Sequence, residues 1–182
     1  MTILGAVLAG GHATRFGRDK ALALLGETTL LDHALASLRP HVDALVVIGR
    51  EHAPVPTAPD LPFPDLGPLG GIAGALAYAR DHGHASVLTT ACDTPSLPRA
   101  LVAALLASEA AHAAGAPTVG RWPVRLLESL LAHLQSAESR SIKHWAATQQ
   151  VIAVLPGVTV ANINTPDDLA RLASNQIPPA VI

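Results

Sequence analysis

The stretch "ILGAVLAGGHATRFGRDK", residues 3–20, decides the fold. Its first six residues, Ile3–Leu8, are apolar without alternation, a pattern typical of a β-strand that is buried on both faces. Two glycines follow this strand, and after them come three cations, Arg15, Arg18 and Lys20. A buried strand that runs into glycines and cations indicates either an anion-binding loop or a tight turn with solvated charges.

The composition fits a single compact domain. Of the 182 residues, 49% are hydrophobic and 14% are charged, which is enough apolar material for a core. The formal net charge of -2 argues against a broad basic surface for nucleic acid, so an anion site is expected to be local. Cys92 is the one cysteine, which excludes an internal disulfide and favours a reducing, cytoplasmic compartment.

Two further patterns bear on export and membranes. The N-terminus runs directly into the strand pattern without a basic segment and cleavage site, so we expect no signal peptide. The longest strongly apolar stretch, residues 100–119, is rich in alanine and is interrupted by Glu109 and His112. We therefore expect it to form a helix of a water-soluble domain rather than a membrane span.

Three more short runs of branched apolar residues predict strands, at Ala44–Ile48, residues 86–90 and residues 151–155. Helical patterns lie between them, and residues 115–125 allow a short antiparallel excursion. Alternating strands and helices predict a single-domain α/β fold, a three-layer α/β/α sandwich with a mainly parallel sheet. We expect this domain to span residues 1–174 and residues 175–182 to be a frayed tail.

Helix boundaries are marked by proline, glycine and capping residues. Pro68 and Pro98 predict helix starts, because proline is favoured in a first helical turn. Gly83 predicts a helix end. Thr165 is expected to cap a last helix that begins with Pro166. One apolar helical face is formed by Leu30, Leu31, Ala34, Leu35 and Leu38.

The first loop has the residues of a phosphate site. Ala9, Gly10 and Gly11 follow the first strand, and ligands of parallel α/β sheets bind beyond the carboxyl ends of the strands. Glycines let backbone N–H groups approach a phosphate, and Arg15 and Lys20 would neutralise its charge. The spacing matches neither a Walker A loop nor the GxGxxG fingerprint.

The segment "TTACDTPSLP", residues 89–98, places a carboxylate at the same edge. Asp93 follows an apolar strand, where it could hold a magnesium ion that bridges phosphate oxygens. The alternative is an aspartate that caps the next helix. We expect Cys92 to be a small buried hydrophobe beside this site.

Glycines crowd the predicted helix start in "GPLGGIAG", residues 67–74. Gly67 and Gly70 could admit a base or ribose against the backbone, whereas Gly74, inside the helix, is also explained by close packing on the sheet. Upstream, Asp60 and Asp65 could accept hydrogen bonds from a guanine edge or a ribose hydroxyl. The alternative for both carboxylates is a solvated loop.

Near the C-terminus, Asn162 and Asn164 alternate and would point the same way in an extended segment. An amide oxygen there could complete a magnesium shell or hold a second substrate, or could satisfy local backbone. His82 and His84 form a close pair, but no third and fourth ligand follow at zinc spacing, so we expect no histidine metal site.

Four of these segments, taken in order, resemble the molybdenum cofactor guanylyltransferase family, a branch of the nucleotidyltransferases. They are "LAGGHATRFGRDK" (8–20), "GPLGG" (67–71), "CDTPSLP" (92–98) and "NINTPDDL" (162–169). The resemblance implies a nucleotide-diphospho-sugar-transferase-like fold. It also implies transfer of GMP from GTP to the phosphate of molybdopterin, with magnesium and with release of pyrophosphate.

The resemblance assigns roles by position. Lys20 would bind the phosphates, Asp60 would face guanine, Asp93 would hold magnesium, and Asn162 and Asn164 would lie near the pterin. The expected catalytic residues are Arg15, Lys20 and Asp93. The expected binding residues are Leu8, Ala9, Gly10, Gly11, Lys20, Asp60, Asp65, Gly67, Gly70, Asn162 and Asn164. Molybdoenzymes or other proteins of the cofactor's biosynthesis are the implied protein partners, with no membrane and no nucleic acid.

Some positions bear on the base and the acceptor. Gly10 stands where CTP-using relatives tend to carry alanine, which favours guanine. Ala13 replaces a serine that many members carry, and "VVIGRE" (46–51) lacks a common asparagine. Trp122 stands where a histidine often precedes the proline, so the acceptor face is expected to be altered. The alternatives are a nucleotidyltransferase that uses CTP or a sugar phosphate, and a nucleotide-binding partner without turnover.

Overall fold

The computed structural model describes residues 2–10, 19–136, 139–155, 157 and 160–176. The strands in this part of the chain are β1 (Ile3–Leu8), β2 (Leu24–Leu25), β3 (Thr28–Thr29), β4 (Ala44–Ile48), β5 (Thr57–Ala58), β6 (Ser86–Ala91), β7 (Ala111–Ala113), β8 (Ala116–Pro123) and β9 (Ile152–Val154). The α-helices are α1 (Leu30–Leu38), α2 (Pro68–Asp81), α3 (Arg99–Ala107), α4 (Leu127–Gln135), α5 (Ile142–Thr148) and α6 (Pro166–Gln176). Short 3₁₀ helices cover Lys20–Leu22, Arg39–His41 and Val124–Leu126.

Seven of the strands form one sheet in the order β5-β4-β1-β6-β8-β7-β9, and β2 pairs with β3 in a separate hairpin. The pairs β1–β4, β1–β6, β4–β5 and β7–β9 are parallel. Strand β8 runs antiparallel to both of its neighbours, β6 and β7. The mainly parallel sheet is confirmed, and so is the antiparallel excursion within residues 115–125.

Helices cover the sheet on both sides and create two separate cores. Because side chains alternate across a strand, Leu4, Ala6 and Leu8 of β1 pack on the side of α2, α4 and α5. Val7 of the same strand packs on the side of α1 and α3. These are the three layers that the uninterrupted apolar strands predict.

A third, smaller core joins distant parts of the chain. It is built around Ala23, Leu25 and Leu30, which lie on and beside the β2–β3 hairpin, and around Ile163. Leu169 and Leu172 of α6, together with Ala173, pack against it. The segment before α6 and the hairpin after the first loop are therefore held together by apolar contacts.

The predicted helix boundaries are largely confirmed. Pro68 is the first residue of α2, and Gly83 follows its last turn with a φ of 75°, a left-handed conformation that suits glycine. Pro98 lies one residue earlier than expected, as the N-cap of α3. At α6, the Asp168 N–H donates to Thr165 Oγ1 over 3.1 Å, and the Thr165 N–H donates to Asp168 Oδ2 over 2.9 Å, which is a reciprocal capping box.

The expectation of one long helix over residues 100–119 is wrong. Helix α3 ends at Ala107, and the chain then forms β7 and β8 around a turn that contains Gly115. Alanine favours helices, but here Ala111 and Ala113 are buried in the sheet between β8 and β9, so tertiary pairing overrides local propensity. No helix in the described ranges is long and apolar enough to cross a bilayer.

At the C-terminus, helix α6 continues to Gln176, so residues 175 and 176, which were expected to belong to a frayed tail, are helical. The remaining residues of the expected tail, 177–182, lie outside the described part of the chain.

Gly74, the last of the three glycines in α2, is a packing residue. A Cβ on Gly74 would collide with the backbone carbonyl oxygen of Pro59 and would lie 3.2 Å from the Ile48 side chain. This arrangement confirms close helix-on-sheet packing, and it brings the segment after β5 against the first turns of α2.

We expect Gly74→Ala to destabilise the protein by about 1–3 kcal/mol, because the methyl group would meet backbone that cannot rotate away. In an unobstructed helix the same change would stabilise by about 1 kcal/mol. Chemical denaturation measures the difference. Gly115→Ala is the control, since a Cβ there meets no atom within 4 Å among the described residues. A stabilised Gly74→Ala variant would contradict the packing role.

Candidate active site

Three parallel strands end level with one another. Leu8 of β1 is in register with Ile48 of β4 on one side and with Ala91 of β6 on the other. The loops that follow these strands therefore leave the sheet at one edge, and they hold Gly10 and Asp93. We call this edge the strand-end rim; it is where parallel α/β sheets bind ligands.

The rim carries an ion pair between Lys20 and Asp93. Lys20 Nζ lies 3.0 Å from Asp93 Oδ2, and the two side chains are 13% and 24% exposed. Lys20 begins the 3₁₀ helix Lys20–Leu22, which returns the chain to the rim after the first loop. Partial burial makes this charge-assisted contact stronger than an exposed pair, and it leaves both groups accessible to a ligand.

A carboxylate that has no cation partner among the described residues, Asp60, lies among glycines on the other side of β1. A Cβ on Gly10 would be 2.9 Å from Asp60 Oδ2, and Cβ atoms on Gly49 and Gly71 would be 3.2 and 3.5 Å from Asp60 Oδ1. Burial, and then the negative charge of Asp65, raise the pKa of Asp60 above its ordinary value of 3.8. Asp60 therefore forms an acidic group at the rim that is poorly compensated by its described surroundings.

The loop between Asp60 and α2 folds back on the helix. The Leu61 N–H donates to the Gly70 carbonyl over 3.1 Å, and the Gly70 N–H donates to the Gly67 carbonyl over 3.0 Å. Asp65 and Gly67 are exposed and have positive φ angles of 62° and 70°. Gly70 is buried, and a Cβ there would lie 3.0 Å from Leu66 Cβ, so close packing explains this glycine.

The segment before α6 reaches the rim through its backbone. The Ile163 N–H donates to the Asp93 carbonyl over 2.9 Å, while the Ile163 side chain is buried in the third core. Asn162 and Asn164, on either side, are exposed. The Asn164 N–H donates to Asp168 Oδ2 over 3.0 Å. The structure thus brings both asparagines to the neighbourhood of Asp93.

Cys92 is half-buried and packs against the core on the α1 and α3 side. Burial, and then the adjacent Asp93 carboxylate, raise the pKa of the Cys92 thiol to about 11. The thiol is therefore protonated at neutral pH and acts as a small apolar filler beside the site.

Two of the expected site residues, Gly11 and Arg15, lie outside the described part of the chain. Leu8 lies on the rim, but its side chain is buried in the core beneath α2 and its carbonyl accepts the Cys92 N–H. The Ala9 N–H donates to the Ile48 carbonyl over 2.9 Å. The Ala9 N–H is therefore occupied within the sheet and is not offered to a ligand.

The sequence interpretation missed an ion pair between the first loop and the loop after β4. Arg50 Nη1 and Nη2 lie 2.9 and 2.6 Å from the two carboxylate oxygens of Asp19. The sequence signals a cation at this edge, since Gly49 and Arg50 directly follow a buried strand, the same order of glycine and cation as after β1, but it does not indicate the partner of that cation. Gly49 has a φ of 82°, and a Cβ there would lie 2.5 Å from Gly10 Cα.

Comparison with known proteins bears on this architecture. The profile of the MobA-like NTP transferase domain matches residues 5–154, which is most of the chain. The chain belongs to the MobA-like NTP transferase domain family.

Two relatives of known sequence are similar to this chain over nearly its whole length. A molybdenum cofactor guanylyltransferase of Rhizobium leguminosarum bv. trifolii (strain WSM2304) is 38% identical, over 93% of this chain and 90% of the relative. One of Rhodobacter capsulatus is 36% identical, over 94% and 95%. In fold, the chain is similar to molybdopterin-guanine dinucleotide biosynthesis protein A from Archaeoglobus fulgidus, with a TM-score of 0.71, 20% identity, and coverage of 94% and 97%.

The expectation that Trp122 alters the acceptor face of this MobA-like domain is wrong. Trp122 is fully buried in β8, opposite Val87 near the start of β6 and hence away from the rim. Its Nε1–H donates to Thr89 Oγ1 over 2.8 Å, and its ring lies 5.7 Å from that of Trp145. Trp122 fills the core beneath α5, and it provides no reason to expect loss of turnover.

The side chains at the rim can be compared with those that magnesium sites use. Among the described residues, no group of three or more His, Cys, Asp or Glu side chains is arranged to hold a metal ion. Magnesium in nucleotide sites usually takes one or two carboxylates, together with substrate phosphates and water, rather than a cage of protein ligands. Asp93, a partly exposed carboxylate at the strand ends, fits that mode of binding.

We expect Asp60→Asn to raise the free energy of unfolding at neutral pH. Because the folded protein raises the pKa of Asp60, its ionised form carries a cost that the unfolded chain lacks. That cost is full above the folded pKa and disappears as the pH falls below 3.8, so the advantage of the amide should shrink on acidification. Denaturation at neutral and acidic pH measures both points.

The control for this change is Glu27→Gln, which removes an exposed carboxylate in the β2–β3 turn. It is expected to leave stability nearly unchanged at both pH values. An Asp60→Asn variant that is less stable than the wild type at neutral pH would show that the carboxylate is stabilised in the fold, contrary to its surroundings as described.

Proposed function

We propose that this MobA-like domain transfers GMP from GTP to the phosphate of molybdopterin and releases pyrophosphate. The observation that carries the proposal is the Lys20–Asp93 ion pair on the strand-end rim. A cation and a carboxylate that are 3.0 Å apart beyond the ends of β1 and β6 suit a triphosphate and its divalent cation. The two relatives at 38% and 36% identity, named molybdenum cofactor guanylyltransferase, support the same substrates.

The proposed base selection rests on Asp60. Guanine presents two adjacent donors, its ring N–H and its exocyclic amine, to which one carboxylate can accept side by side, whereas cytosine presents only an amine on the corresponding edge. Asp60 lies against Gly10, where any side chain would approach its carboxylate. A site built around paired hydrogen bonds discriminates strongly against a base that leaves one of them unmade.

In the proposed reaction, an oxygen of the acceptor phosphate attacks the α-phosphorus of GTP. A new oxygen–phosphorus bond forms as the bond to the bridging β-phosphate oxygen breaks, and pyrophosphate leaves. Lys20 holds the phosphates, and the backbone at Gly10 lets them approach the end of β1. Asp93 would hold magnesium, which when bound would supply charge neutralisation to the triphosphate. A phosphate monoester is already anionic near neutral pH, so the chain needs no general base, and positioning and electrostatics provide the rate.

The second substrate is proposed to lie beside Asp93. Asn162 and Asn164 are exposed there and offer amide groups to the pterin end. The dinucleotide product then passes to molybdoenzymes or to other proteins of the cofactor's biosynthesis, in the cytoplasm.

A nucleotide and acceptor panel tests this function. The purified protein is incubated with magnesium and GTP, CTP, ATP or UTP, with either molybdopterin or a sugar 1-phosphate as the acceptor. Pyrophosphate release and the nucleotide content of the product are measured. We expect release with GTP and molybdopterin and a product that contains GMP. Preference for CTP, transfer to the sugar phosphate, or GTP binding without product would each overturn the proposal.

Asp93→Asn is expected to keep the fold and lose turnover. Removing one charge-stabilising partner of a transition state costs about 2.7–4 kcal/mol, or about 10²–10³-fold in kcat. Initial rates with GTP and molybdopterin, beside thermal unfolding, measure both effects. Glu128→Gln, an exposed change on α4, is the control and should retain full activity. Near-normal turnover by Asp93→Asn would exclude Asp93 as the magnesium residue.

A further inference from the structure

Arg50 makes a bidentate ion pair with Asp19. Its two terminal nitrogens donate to separate carboxylate oxygens, at 2.9 and 2.6 Å. The Arg50 side chain is 18% exposed and that of Asp19 is 43% exposed. Two parallel hydrogen bonds fix the plane of the carboxylate as well as its distance, which a single contact does not do.

The same carboxylate starts the 3₁₀ helix Lys20–Leu22. Asp19 is the N-cap, and its Oδ1 accepts the Ala21 N–H over 3.1 Å. The pKa of Asp19 lies below its ordinary value of 3.8, and the hydrogen bond from Arg50 is the largest cause of this shift. Asp19 is therefore an ionised cap at neutral pH, and Arg50 determines where it lies.

Lys20 is the first residue of this 3₁₀ helix, and its amine meets Asp93 at 3.0 Å. A continuous path of contacts thus crosses the rim, from the loop after β4 through Asp19 and Lys20 to the loop after β6. The Arg50 Nε is buried and finds no hydrogen-bond partner in the part of the chain that the structure describes, so the inner part of the guanidinium is held away from solvent.

We propose that Arg50 is a positioning residue. Its two hydrogen bonds to Asp19 fix the position of the 3₁₀ helix that presents Lys20 at the rim. The identity of the ligand that Lys20 meets, the phosphates of GTP, rests on the proposed function. In this proposal Arg50 acts through Asp19 rather than on the nucleotide, because each of its terminal nitrogens donates a hydrogen bond to that carboxylate.

The first measurement is a double-mutant cycle with Arg50→Gln, Asp19→Asn and the double variant. Misplacement of a substrate-holding group by about 1 Å costs up to about 10²-fold, so we expect each single change to lower kcat/KM for GTP by about 10–100-fold. The kcat/KM of the double variant is expected to be no lower than that of the less active single variant, because the two changes break the same contact. Arg80→Gln, which breaks an exposed ion pair with Asp81, is the control and should be active.

The second measurement does not depend on turnover. The chain has only two lysines, Lys20 and Lys143. Lys20 is paired and largely buried, whereas Lys143 is exposed. Acetylation by an amine-reactive ester, followed site by site by mass spectrometry, therefore reports how firmly Lys20 is held. We expect Lys20 to react several-fold faster in Arg50→Gln and in Asp19→Asn, with Lys143 unchanged as the internal reference.

Two results would overturn the inference. An unchanged Lys20 acetylation rate in Arg50→Gln would mean that the contact between Arg50 and Asp19 does not position the Lys20 amine, even if the unfolding temperature falls. An undiminished effect of Arg50→Gln on kcat/KM in the Asp19→Asn background would mean that Arg50 acts on the nucleotide directly. Absence of GTP turnover in the wild type would refute the proposed function instead, and the acetylation rates would still decide the role of Arg50.

Discussion

Strand β1 lies between β4 and β6, and both pairs are parallel. Leu4–Leu8 pair without a break with β4, and Ile3–Leu8 pair without a break with β6. This pairing places the ends of three strands at one level, and the loops with Gly10, Arg50 and Asp93 follow from it. The register is fixed by burial on both faces, because a slip of one residue would exchange the side chains that enter the two cores. Displacing β1 would therefore separate the groups of the site as well as the cores.

The acidic residues around this edge have two kinds of surroundings. Asp19 and Asp93 each have a cation within 3.0 Å, so their charges are compensated inside the protein. Asp60 has glycines beside it and a second carboxylate nearby, and its pKa is raised. A carboxylate that no cation among the described residues compensates is one that a hydrogen-bond-donating ligand can stabilise. Under the proposed function, the rim then has a charge-neutralising half at Lys20 and Asp93 and a base-recognising half at Asp60.

The sequence predicts the layers, the main strands and most helix ends because these depend on local apolar patterns, prolines and glycines. It fails at residues 100–119, where a sheet position outweighs the helix propensity of alanine. Asp93 and Lys20 are predictable from their places after strands. The contact of Arg50 with Asp19 is not, since it joins residues 31 apart and depends on how the two loops approach. Trp122 shows the converse error. Its unusual place in a motif predicts a functional role, but the side chain is buried in the core.

The hydrogen bond from Ile163 to the Asp93 carbonyl, and the packing of Ile163 beneath the β2–β3 hairpin, have a consequence for biosynthesis. A ribosome releases the chain from the N-terminus, so β1, the first loop and Asp93 emerge long before Ile163. The rim acquires the support of Ile163 only after residues 1–163 have left the exit tunnel. A product truncated just before Ile163 can thus hold all seven strands of the sheet and still lack the contact that ties the loop after β6 to the third core.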